Sequence, residues 1–261
     1  MLLELKDIKK SYSGSGKEVI NLLAGVDLAV PEGKVTALVG GNGAGKTTLF
    51  NIISGYDRDF RGRVVLKGED ITRMPAYRIA RKGVGRLFQG RQLLDGLTVM
   101  ENLKIACPDT VGESPLDFIM KRGTVEISDF KRGQRAEDML THVFGDYGTF
   151  IRMLDSRSSE LSYGAQRLVA MSRLLLGDYE LFLLDEPTSG VNPRYIDVFC
   201  RIIRELAEKQ GRTVLLIEHN MNFVRSVADE CHYLAGGKII KSGTPAEVLD
   251  DAVIRRDYMG L

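Results

Sequence analysis

The amino-acid sequence predicts an α/β fold built around a mainly parallel sheet. Three short, continuous apolar runs carry the prediction: KVTALVG at 34–40, LFLLDEP at 181–187 and TVLLIEH at 213–219. Runs of this length without polar alternation are typical of strands covered on both faces. Because segments with helical periodicity separate these runs, we expect the strands to lie parallel to one another.

The remaining strands follow from alternation of apolar and polar residues. This pattern predicts half-buried strands at 2–12 and 23–30, and a further strand at 63–70. The stretch ARKGVGRLFQG, at 80–90, indicates the end of a helix followed by a strand. At 261 residues, the chain is expected to form one large domain or two tightly associated lobes, and no internal repeat is evident.

Capping signals place the helices. Thr98 and Glu101 have the spacing of a capping box, and Asn192 before Pro193 is a typical helix start. Helices are also expected from the end of the glycine-rich loop to residue 55, from about residue 164, and from about residue 245. Residues 107–135 mix glycine, proline and charge, which predicts an irregular excursion within a mostly helical section that reaches about residue 155.

Composition limits the function classes. The chain is 44% hydrophobic and 27% charged, as in globular proteins, and its net charge of +1 gives no global basis for nucleic-acid binding. Cys107, Cys200 and Cys231 show no CxxC pairing and are expected to be buried or incidental thiols in a reducing cytoplasm. The charged start is unlike a signal peptide, and no apolar run approaches the roughly 20 residues that span a bilayer. Any membrane role is therefore expected to come through a partner.

The strongest motif is the glycine-rich loop GGNGAGKTT, which contains Gly40-x-x-x-x-Gly45-Lys46-Thr47. Backbone N–H groups in such a loop converge on phosphate oxygens, and glycines permit the close approach. Lys46 is predicted to reach the β and γ phosphates, and the Thr47 hydroxyl to ligate Mg²⁺. A glycine turn that matches by chance is the alternative. The loop follows a buried strand and enters a helix, as phosphate binding requires, so nucleotide binding is favoured.

Polar side chains follow three of the predicted strands. Asp185 and Glu186 end LFLLDEP, Gln89 ends GVGRLFQ, and His219 ends TVLLIEH. Ligands in open α/β folds sit at the carboxyl ends of parallel strands, so these groups are expected to face one phosphate site. Asp185 is predicted to hold Mg²⁺ and Glu186 to polarise water. Alone, Gln89 or His219 is more often a structural side chain, and two acids after a strand are common.

These motifs, taken in order with LSYGAQ at 161–166, resemble those of the ATP-binding-cassette (ABC) ATPases over essentially the whole chain. The resemblance implies ATP and Mg²⁺ as ligands and a P-loop NTPase fold with an N-terminal antiparallel β-subdomain. The implied nucleotide-binding residues are Tyr12, which matches the adenine-stacking position, and Gly40, Asn42, Gly43, Ala44, Gly45, Lys46, Thr47 and Thr48. The implied metal ligands are Thr47, Gln89 and Asp185, and the implied catalytic residues are Glu186, His219, Gln89 and Lys46.

LSYGAQ resembles the family signature, which binds ATP held by another subunit. The resemblance therefore implies that Ser162, Gly164 and Gln166 act across a dimer, formed with a second copy or with a related ATPase. Residues 1–89 and 162–261 would form the nucleotide-binding core, and residues 90–161 an inserted helical subdomain that contacts an integral membrane permease. Such a subunit is cytoplasmic and peripheral on the inner face of the cell membrane, and no nucleic-acid partner is expected.

Two positions depart from the commoner family motifs. Tyr163 replaces a signature glycine, and its ring is predicted to point away from the phosphate rather than to narrow the site. Asn192 stands where the family more often has aspartate. An asparagine still forms hydrogen bonds across a dimer but supplies no charge there.

The segments RLFQ and LLIEHNMNFV and the C-terminal tail are similar to those of branched-chain amino-acid importer ATPases. ATPases for urea or amide import and for lipopolysaccharide export are related alternatives. A soluble ABC ATPase of DNA repair or translation usually has paired cassettes, zinc-site cysteines or a long coiled coil, which are missing here. A non-catalytic scaffold would be expected to have degraded motifs, and a P-loop kinase leaves LSYGAQ unexplained.

Overall fold

The structure is a computed structural model that describes residues 1–13, 19–90, 92–108, 122–145 and 153–259. Its strands are β1 Leu3–Ser13, β2 Val19–Val30, β3 Val35–Val39, β4 Arg61–Leu66, β5 Glu69–Asp70, β6 Val84–Leu87, β7 Leu181–Asp185, β8 Thr213–Ile217, β9 Glu230–Ala235 and β10 Lys238–Gly243. Its α-helices are α1 Lys46–Ile53, α2 Ala76–Arg81, α3 Val99–Lys104, α4 Arg122–Phe144, α5 Tyr163–Leu175, α6 Ile196–Glu208, α7 Met221–Val227, α8 Pro245–Leu249 and α9 Ala252–Met259. Short 3₁₀ helices cover Ser158–Glu160 and Pro193–Tyr195.

The larger sheet has six strands in the order β10-β9-β3-β8-β7-β6. Every neighbouring pair is parallel except β9 with β10. The three continuous apolar runs form β3, β7 and β8, and every residue of these strands is buried. The predicted mainly parallel core is confirmed, and the carboxyl ends of β3, β6, β7 and β8 lie at one edge of the sheet.

The smaller sheet is antiparallel and has the order β2-β1-β4-β5. Leu3 pairs with Val30 on one side and with Leu66 on the other. Leu3, Leu5 and Ile8 are buried, whereas Lys6 and Lys9 are exposed, so the strand has the half-buried character predicted from its alternation. This confirms the N-terminal antiparallel sheet.

One apolar core joins the two sheets to α1. Leu3 and Val26 of the smaller sheet, Leu38 of β3, and Phe50 and Ile53 of α1 are all 0% exposed in this core. Fully burying such side chains contributes roughly 1.5–3 kcal/mol each to stability. The packing therefore fixes α1, and with it the glycine-rich loop at its start.

The chain separates into two compact units. The first contains residues 1–89, 179–189 and 199–261, and the second contains residues 90–178 and 190–198. The second unit has its own apolar core, formed by α3, α4, α5 and their connections, in which Leu103, Ala136 and Leu140 are at most 1% exposed. The assignment of residues 90–161 as a functional helical subdomain stays a prediction.

The predicted capping box at the start of α3 is present. The Thr98 hydroxyl accepts from the Glu101 amide at 3.1 Å, and the Glu101 carboxylate accepts from the Thr98 amide at 2.8 Å. Asn192 also caps as predicted, since its side chain accepts from the Arg194 amide at 3.1 Å. It starts a 3₁₀ turn that leads into α6, rather than an α-helix directly.

The irregular excursion predicted at 107–135 is wrong over its second half, because residues 122–135 belong to the 23-residue helix α4. Its polar composition hides a narrow stripe of buried positions spaced three and four residues apart: Ala136, Leu140 and Val143. Glycine and charge elsewhere on the helix are tolerated because this stripe packs on the core of the second unit. Residues 109–121 lie outside the described part of the chain.

The single closing helix predicted from about Pro245 is two helices. α8 starts with a capping box between Thr244 and Glu247 and ends at Leu249. Asp251 then accepts from the amides of Val253 at 2.9 Å and Ile254 at 3.3 Å, which starts α9. The side chain of Asp251 competes with helix continuation, as short acidic side chains do at helix starts.

No helix in the described ranges is long and apolar enough to cross a membrane. All three cysteines fall within those ranges and none forms a disulfide. Cys107 and Cys231 are buried and Cys200 is partly exposed. Two of the three thiols are therefore buried, as expected.

Labelling of the three cysteines provides a direct test of the fold. Burial raises the pKa of the Cys231 thiol to about 12, so its reactive thiolate is scarce at pH 8. A maleimide at pH 8 is expected to label Cys200 in the native protein and all three cysteines after unfolding, as read by intact-mass spectrometry. Rapid native labelling of Cys231 would contradict the fold around β9.

Candidate active site

The glycine-rich loop leaves the buried end of β3 and enters α1, as predicted. Gly40 lies so close to β9 that a Cβ atom there would be 2.3 Å from the Leu234 carbonyl oxygen. Gly45 has a φ of 97°, and its Cβ would be 2.7 Å from Leu23 Cδ2. At Gly40 any other residue would force the backbone to move, and at Gly45 the left-handed backbone conformation strains any residue with a Cβ atom. Packing against both sheets thus shapes the loop. The backbone N–H groups of the loop lie next to the unpaired N–H groups of the first turn of α1.

Lys46 folds back over this loop. Its Nζ donates to the carbonyl oxygens of Gly40 at 2.7 Å and Gly41 at 2.8 Å. Burial lowers the pKa of Lys46, while the nearby carboxylates of Glu186 and Asp185 act in the opposite direction. The ammonium group is therefore held beside the loop by the two carbonyl dipoles. Its role in binding phosphate stays a prediction.

Asp185, the last residue of β7, reaches the start of α1. Its Oδ1 accepts from the Thr47 hydroxyl at 3.4 Å, and the residue is 0% exposed. Burial raises the pKa of Asp185, and the Arg86 guanidinium acts against that rise. A hydroxyl and a carboxylate oxygen thus meet where β7 and the glycine-rich loop converge.

These oxygens fit Mg²⁺. Magnesium prefers oxygen ligands and commonly takes one or two from the protein, with phosphate and water completing its shell. The described residues contain no cluster of three or more His, Cys, Asp or Glu side chains able to hold a metal. Thr47 and Asp185 therefore suit an ion that binds together with a nucleotide rather than in a cage of protein side chains.

Glu186 lies between the two polar residues predicted to share its site. Its Oε2 accepts from Gln89 Nε2 at 2.8 Å, and its Oε1 is 3.1 Å from His219 Nε2. Its backbone has a φ of 47°, which is uncommon outside glycine and is found at functional sites where the surroundings enforce it. The structure thus brings Gln89, Glu186 and His219 together across the neighbouring strands β6, β7 and β8.

Glu218 is a buried residue that supports the cluster of Gln89, Glu186 and His219. The sequence analysis did not identify it. The residue is 3% exposed, and its Oε1 accepts from both the amide and the hydroxyl of Thr188, at 2.8 and 2.6 Å. Its Oε2 accepts from the His219 amide at 2.9 Å. A buried carboxylate with this many donors holds the chain after Glu186 against the chain that carries His219. An acid directly after the apolar run TVLLI was the available signal.

Arg86 is the second residue that sequence reasoning missed. Its guanidinium pairs with Asp185 at 3.1 Å, and the two side chains are 5% and 1% exposed. Burial lowers the pKa of Arg86, opposed by the charge of Asp185. An arginine within the apolar strand VGRL was a signal for a buried acidic partner.

Tyr12 lies at the surface of the smaller sheet, with 45% of the residue exposed. Lys10 Nζ is 4.9 Å from the centroid of its ring, and the Tyr12 hydroxyl is 3.5 Å from Asp57 Oδ2. Lys10 is itself buried and pairs with Asp57 at 3.0 Å. The ring is thus held by polar contacts at the surface. Its role in stacking on adenine stays a prediction.

In the second unit, Ser162 caps α5. Its Oγ accepts from the Ala165 amide at 3.4 Å, and the residue is exposed. The side chain of Gln166 points back to the segment before the helix, where its Nε2 donates to the carbonyls of Ser158 at 2.9 Å and Leu161 at 3.1 Å. Ser162 therefore combines capping with exposure, whereas Gln166 holds the turn before the helix.

Tyr163 packs on Gly190 in the same unit. A Cβ atom on Gly190 would be 2.9 Å from Tyr163 Cε1, and Gly190 has a φ of 68°. Gly164 is buried beside Tyr195, and a Cβ atom on Gly164 would be 3.4 Å from the Tyr195 ring. The first turn of α5 is thus packed against the loop that carries Asn192. The Tyr163 ring is directed to this loop. Its direction away from the phosphate stays a prediction.

Residues 23–189 match the family described as ABC transporter. The chain belongs to this family. It is 33% identical to the high-affinity branched-chain amino acid transport ATP-binding protein BraF of Pseudomonas aeruginosa, over 99% of this chain and 98% of BraF. It is 30% identical to the lipopolysaccharide export system ATP-binding protein LptB of Haemophilus influenzae, over 99% of this chain and 97% of LptB. It also resembles the dimeric ATP-binding cassette MJ0796 bound to ADP and Pi, with TM-score 0.77, 26% identity, and 93% and 98% of the two chains covered.

The resemblance to ABC ATPases drawn from the motifs is confirmed, and the chain is an ATP-binding ATPase with an α/β P-loop NTPase fold. In this ABC ATPase the first unit gathers Lys46, Thr47, Gln89, Asp185, Glu186 and His219 around the carboxyl edge of the larger sheet. Tyr12 lies on the smaller sheet, and Ser162, Gly164 and Gln166 lie in the second unit. The roles of individual residues stay predictions.

Proposed function

We propose that this ABC ATPase powers a membrane importer for branched-chain or related amino acids. The observation that carries the proposal is the similarity to BraF over nearly the full length of both chains. The hydrogen-bonded set Gln89, Glu186 and His219 supports the hydrolytic part of the proposal, because it combines a carboxylate with two groups that orient it.

In the first step, the chain binds ATP at the glycine-rich loop. Residues 40–48 direct backbone N–H groups at the phosphates, and Lys46 supplies charge to the β and γ phosphates. Thr47, Asp185 and Gln89 would hold Mg²⁺ beside the phosphates. The bound ion would neutralise charge that develops on the phosphate oxygens during hydrolysis. Tyr12 stacks on the adenine.

In the hydrolytic step, Glu186 orients the attacking water and accepts its proton. Both carboxylate oxygens already have a polar neighbour, Gln89 at 2.8 Å and His219 at 3.1 Å. These contacts fix the carboxylate plane without occupying all of its acceptor positions. His219 contacts the γ phosphate and helps to stabilise the transition state.

The complete site is shared between two subunits. The first unit of one chain supplies the phosphate loop, and the second unit of the other supplies Ser162, Gly164 and Gln166 at the start of α5. The N-terminus of this helix adds N–H donors and positive potential near the γ phosphate. Closure depends on ATP because neither half-site is complete alone, and the dimeric MJ0796 cassette supports this arrangement. A second copy or a related ATPase supplies the partner.

The membrane connection runs through residues 90–161. Gln89 is the last residue of its segment of the first unit, and the chain passes directly from it into the second unit. A change at Gln89 on ATP binding is thereby passed to the surface that contacts a permease, with a coupling free energy of about 1–3 kcal/mol. The protein would then lie at the cytoplasmic face of the membrane.

Lipopolysaccharide export is the second candidate function. It is favoured by the similarity to LptB, which extends over 99% of this chain at 30% identity. Both candidates use the same hydrolytic site, and they differ in the membrane partner and the transported molecule.

The two candidates are separated by reconstitution with an amino-acid permease and, in parallel, with a lipopolysaccharide-export permease. We expect ATP hydrolysis to rise several-fold when proteoliposomes contain a branched-chain amino acid and its binding protein, with uptake of labelled leucine or valine. A chain with Lys46→Ala serves as the control without hydrolysis. Stimulation by lipopolysaccharide instead would support the export function and contradict amino-acid import.

A further inference from the structure

We propose that Arg86 is a positioning residue that sets the direction of the Asp185 carboxylate and ties it to the helix that carries Thr47. The inference deepens the proposed function and rests on it, because it concerns the magnesium contact of the same site. Arg86 is two residues beyond the start of β6, and the sequence motifs assigned it no role in the site.

The Asp185 carboxylate has its two oxygens committed in different directions. Oδ2 accepts from Arg86 Nη2 at 3.1 Å, whereas Oδ1 is 3.4 Å from the Thr47 hydroxyl. With Oδ2 held by the guanidinium, Oδ1 is the oxygen that faces the second predicted ligand. Arg86 therefore selects which oxygen of Asp185 is presented to Mg²⁺.

The same guanidinium also reaches α1. Arg86 Nη1 donates to Asn51 Oδ1 at 2.8 Å and to Ser54 Oγ at 2.8 Å. Asn51 and Ser54 follow Thr47 by four and seven residues, so all three residues lie on one face of the helix. Asn51 is within α1, and Ser54 is the residue that caps its C-terminal end. One planar group thus bridges strand β7 and helix α1, the two elements that supply Asp185 and Thr47.

Aromatic rings hold Arg86 in this position. Its guanidinium carbon is 4.3 Å from the centroid of Phe88 and 5.7 Å from that of Phe50. Phe88 in turn packs edge-on against Tyr56 at 5.2 Å. A guanidinium combines flat stacking with several in-plane donors, which a lysine ammonium does not, so lysine is not an equivalent here.

The test measures how magnesium changes nucleotide affinity. In Arg86→Lys, we expect ADP binding in EDTA to stay within about twofold of wild type, since the glycine-rich loop is unchanged. Mg²⁺ is expected to tighten ADP binding, and the Mg²⁺ concentration needed for half of this gain in affinity is the quantity of interest. In Arg86→Lys we expect this concentration to rise roughly 10-fold or more, the usual effect of removing a group that orients a metal ligand. Isothermal titration calorimetry reads both quantities without hydrolysis.

Arg73→Lys is the matched control. Arg73 also stacks on a ring, with its guanidinium 5.0 Å from the Phe60 centroid, and it donates to the Phe60 carbonyl at 2.7 Å. Its contacts among the described residues are with Arg58 and Phe60 rather than with Asp185 or α1, so the Mg²⁺ dependence of Arg73→Lys should equal that of wild type. A shift of the same size in Arg73→Lys would show a general loss of packing and overturn the inference.

Two further variants cover a failure of Arg86→Lys to fold. Asn51→Ala and Ser54→Ala each remove one tether and leave the pair with Asp185, so each should shift the Mg²⁺ dependence in the same direction by a smaller factor. Unchanged dependence in both overturns the inference. If wild-type ADP binding itself does not respond to Mg²⁺, the magnesium site at Thr47 and Asp185 fails. If Mg²⁺ tightens ADP binding equally in wild type and in Arg86→Lys, the positioning role of Arg86 is refuted and the proposed magnesium site is not.

Discussion

Glu186→Gln is expected to bind ATP with near-normal affinity and to hydrolyse it roughly 10²–10⁴ times more slowly, the usual range for loss of a positioned general base. The amide has the length of the carboxylate and retains polar contacts to Gln89 and His219, but it accepts a proton poorly. Single-turnover hydrolysis of γ-labelled ATP, beside fluorescence titration with a nucleotide analogue, measures the two effects separately.

Glu180→Gln is the control for this experiment. Glu180 precedes the other end of β7, is 44% exposed and pairs with Lys67. Removing its charge should leave hydrolysis unchanged, because exposed ion pairs contribute little. Turnover by Glu186→Gln close to that of wild type would show that another group accepts the proton, and would refute the role assigned to Glu186.

Ser162→Arg is expected to abolish hydrolysis while each chain still binds nucleotide. Ser162 is exposed at the start of α5, and the phosphate loop belongs to the other unit of its own chain. In a shared site, a long cation at this position would collide with the partner's nucleotide and prevent closure. In the Glu186→Gln background, ATP should produce a dimer in size-exclusion chromatography, and adding Ser162→Arg should leave monomers.

Loss of the helix cap alone must be separated from this effect. Replacing an N-cap residue typically costs about 0.5–2 kcal/mol, and Ser162→Arg will lose that amount as well. Thr244→Arg removes the cap of α8 in the same way, far along the chain from the predicted interface. It should lower the melting temperature and retain hydrolysis. Normal hydrolysis by Ser162→Arg would mean that the site is complete within one chain.

The glycine-rich loop illustrates how much could be predicted from local sequence. Gly40, Gly45 and Lys46 follow a continuous apolar strand, and loop, strand and helix all occur where the motif requires them. Close packing at Gly40 and Gly45 explains why these residue types are necessary. The first part of helix α4, residues 122–135, was predicted as irregular for the converse reason. Only a thin stripe of it is buried, so its composition resembles that of a loop.

Contacts between distant strands could not be predicted in the same way. Gln89 and Glu186 are 97 residues apart, and Thr47 and Asp185 are 138 apart. The motifs indicated that such residues share one edge of a sheet, but the order β3-β8-β7-β6 decides which of them become neighbours. That order places Arg86 on β6 beside Asp185 on β7. The arginine in an apolar strand indicates a buried acidic partner, but neither strand alone identifies Asp185 as that partner.

The sequence by itself determined the parallel core, the phosphate loop, the acidic pair after β7 and the signature stretch, because each depends on residues within one strand, turn or helix start. Only the tertiary structure decided the partners: Arg86 for Asp185, Gln89 and His219 for Glu186, and Gly190 for Tyr163. The physical reason is that side-chain hydrogen bonds and ring contacts act over a few ångströms. They are set by how elements pack, and that packing minimises the exposed apolar surface of the whole chain rather than of any one segment.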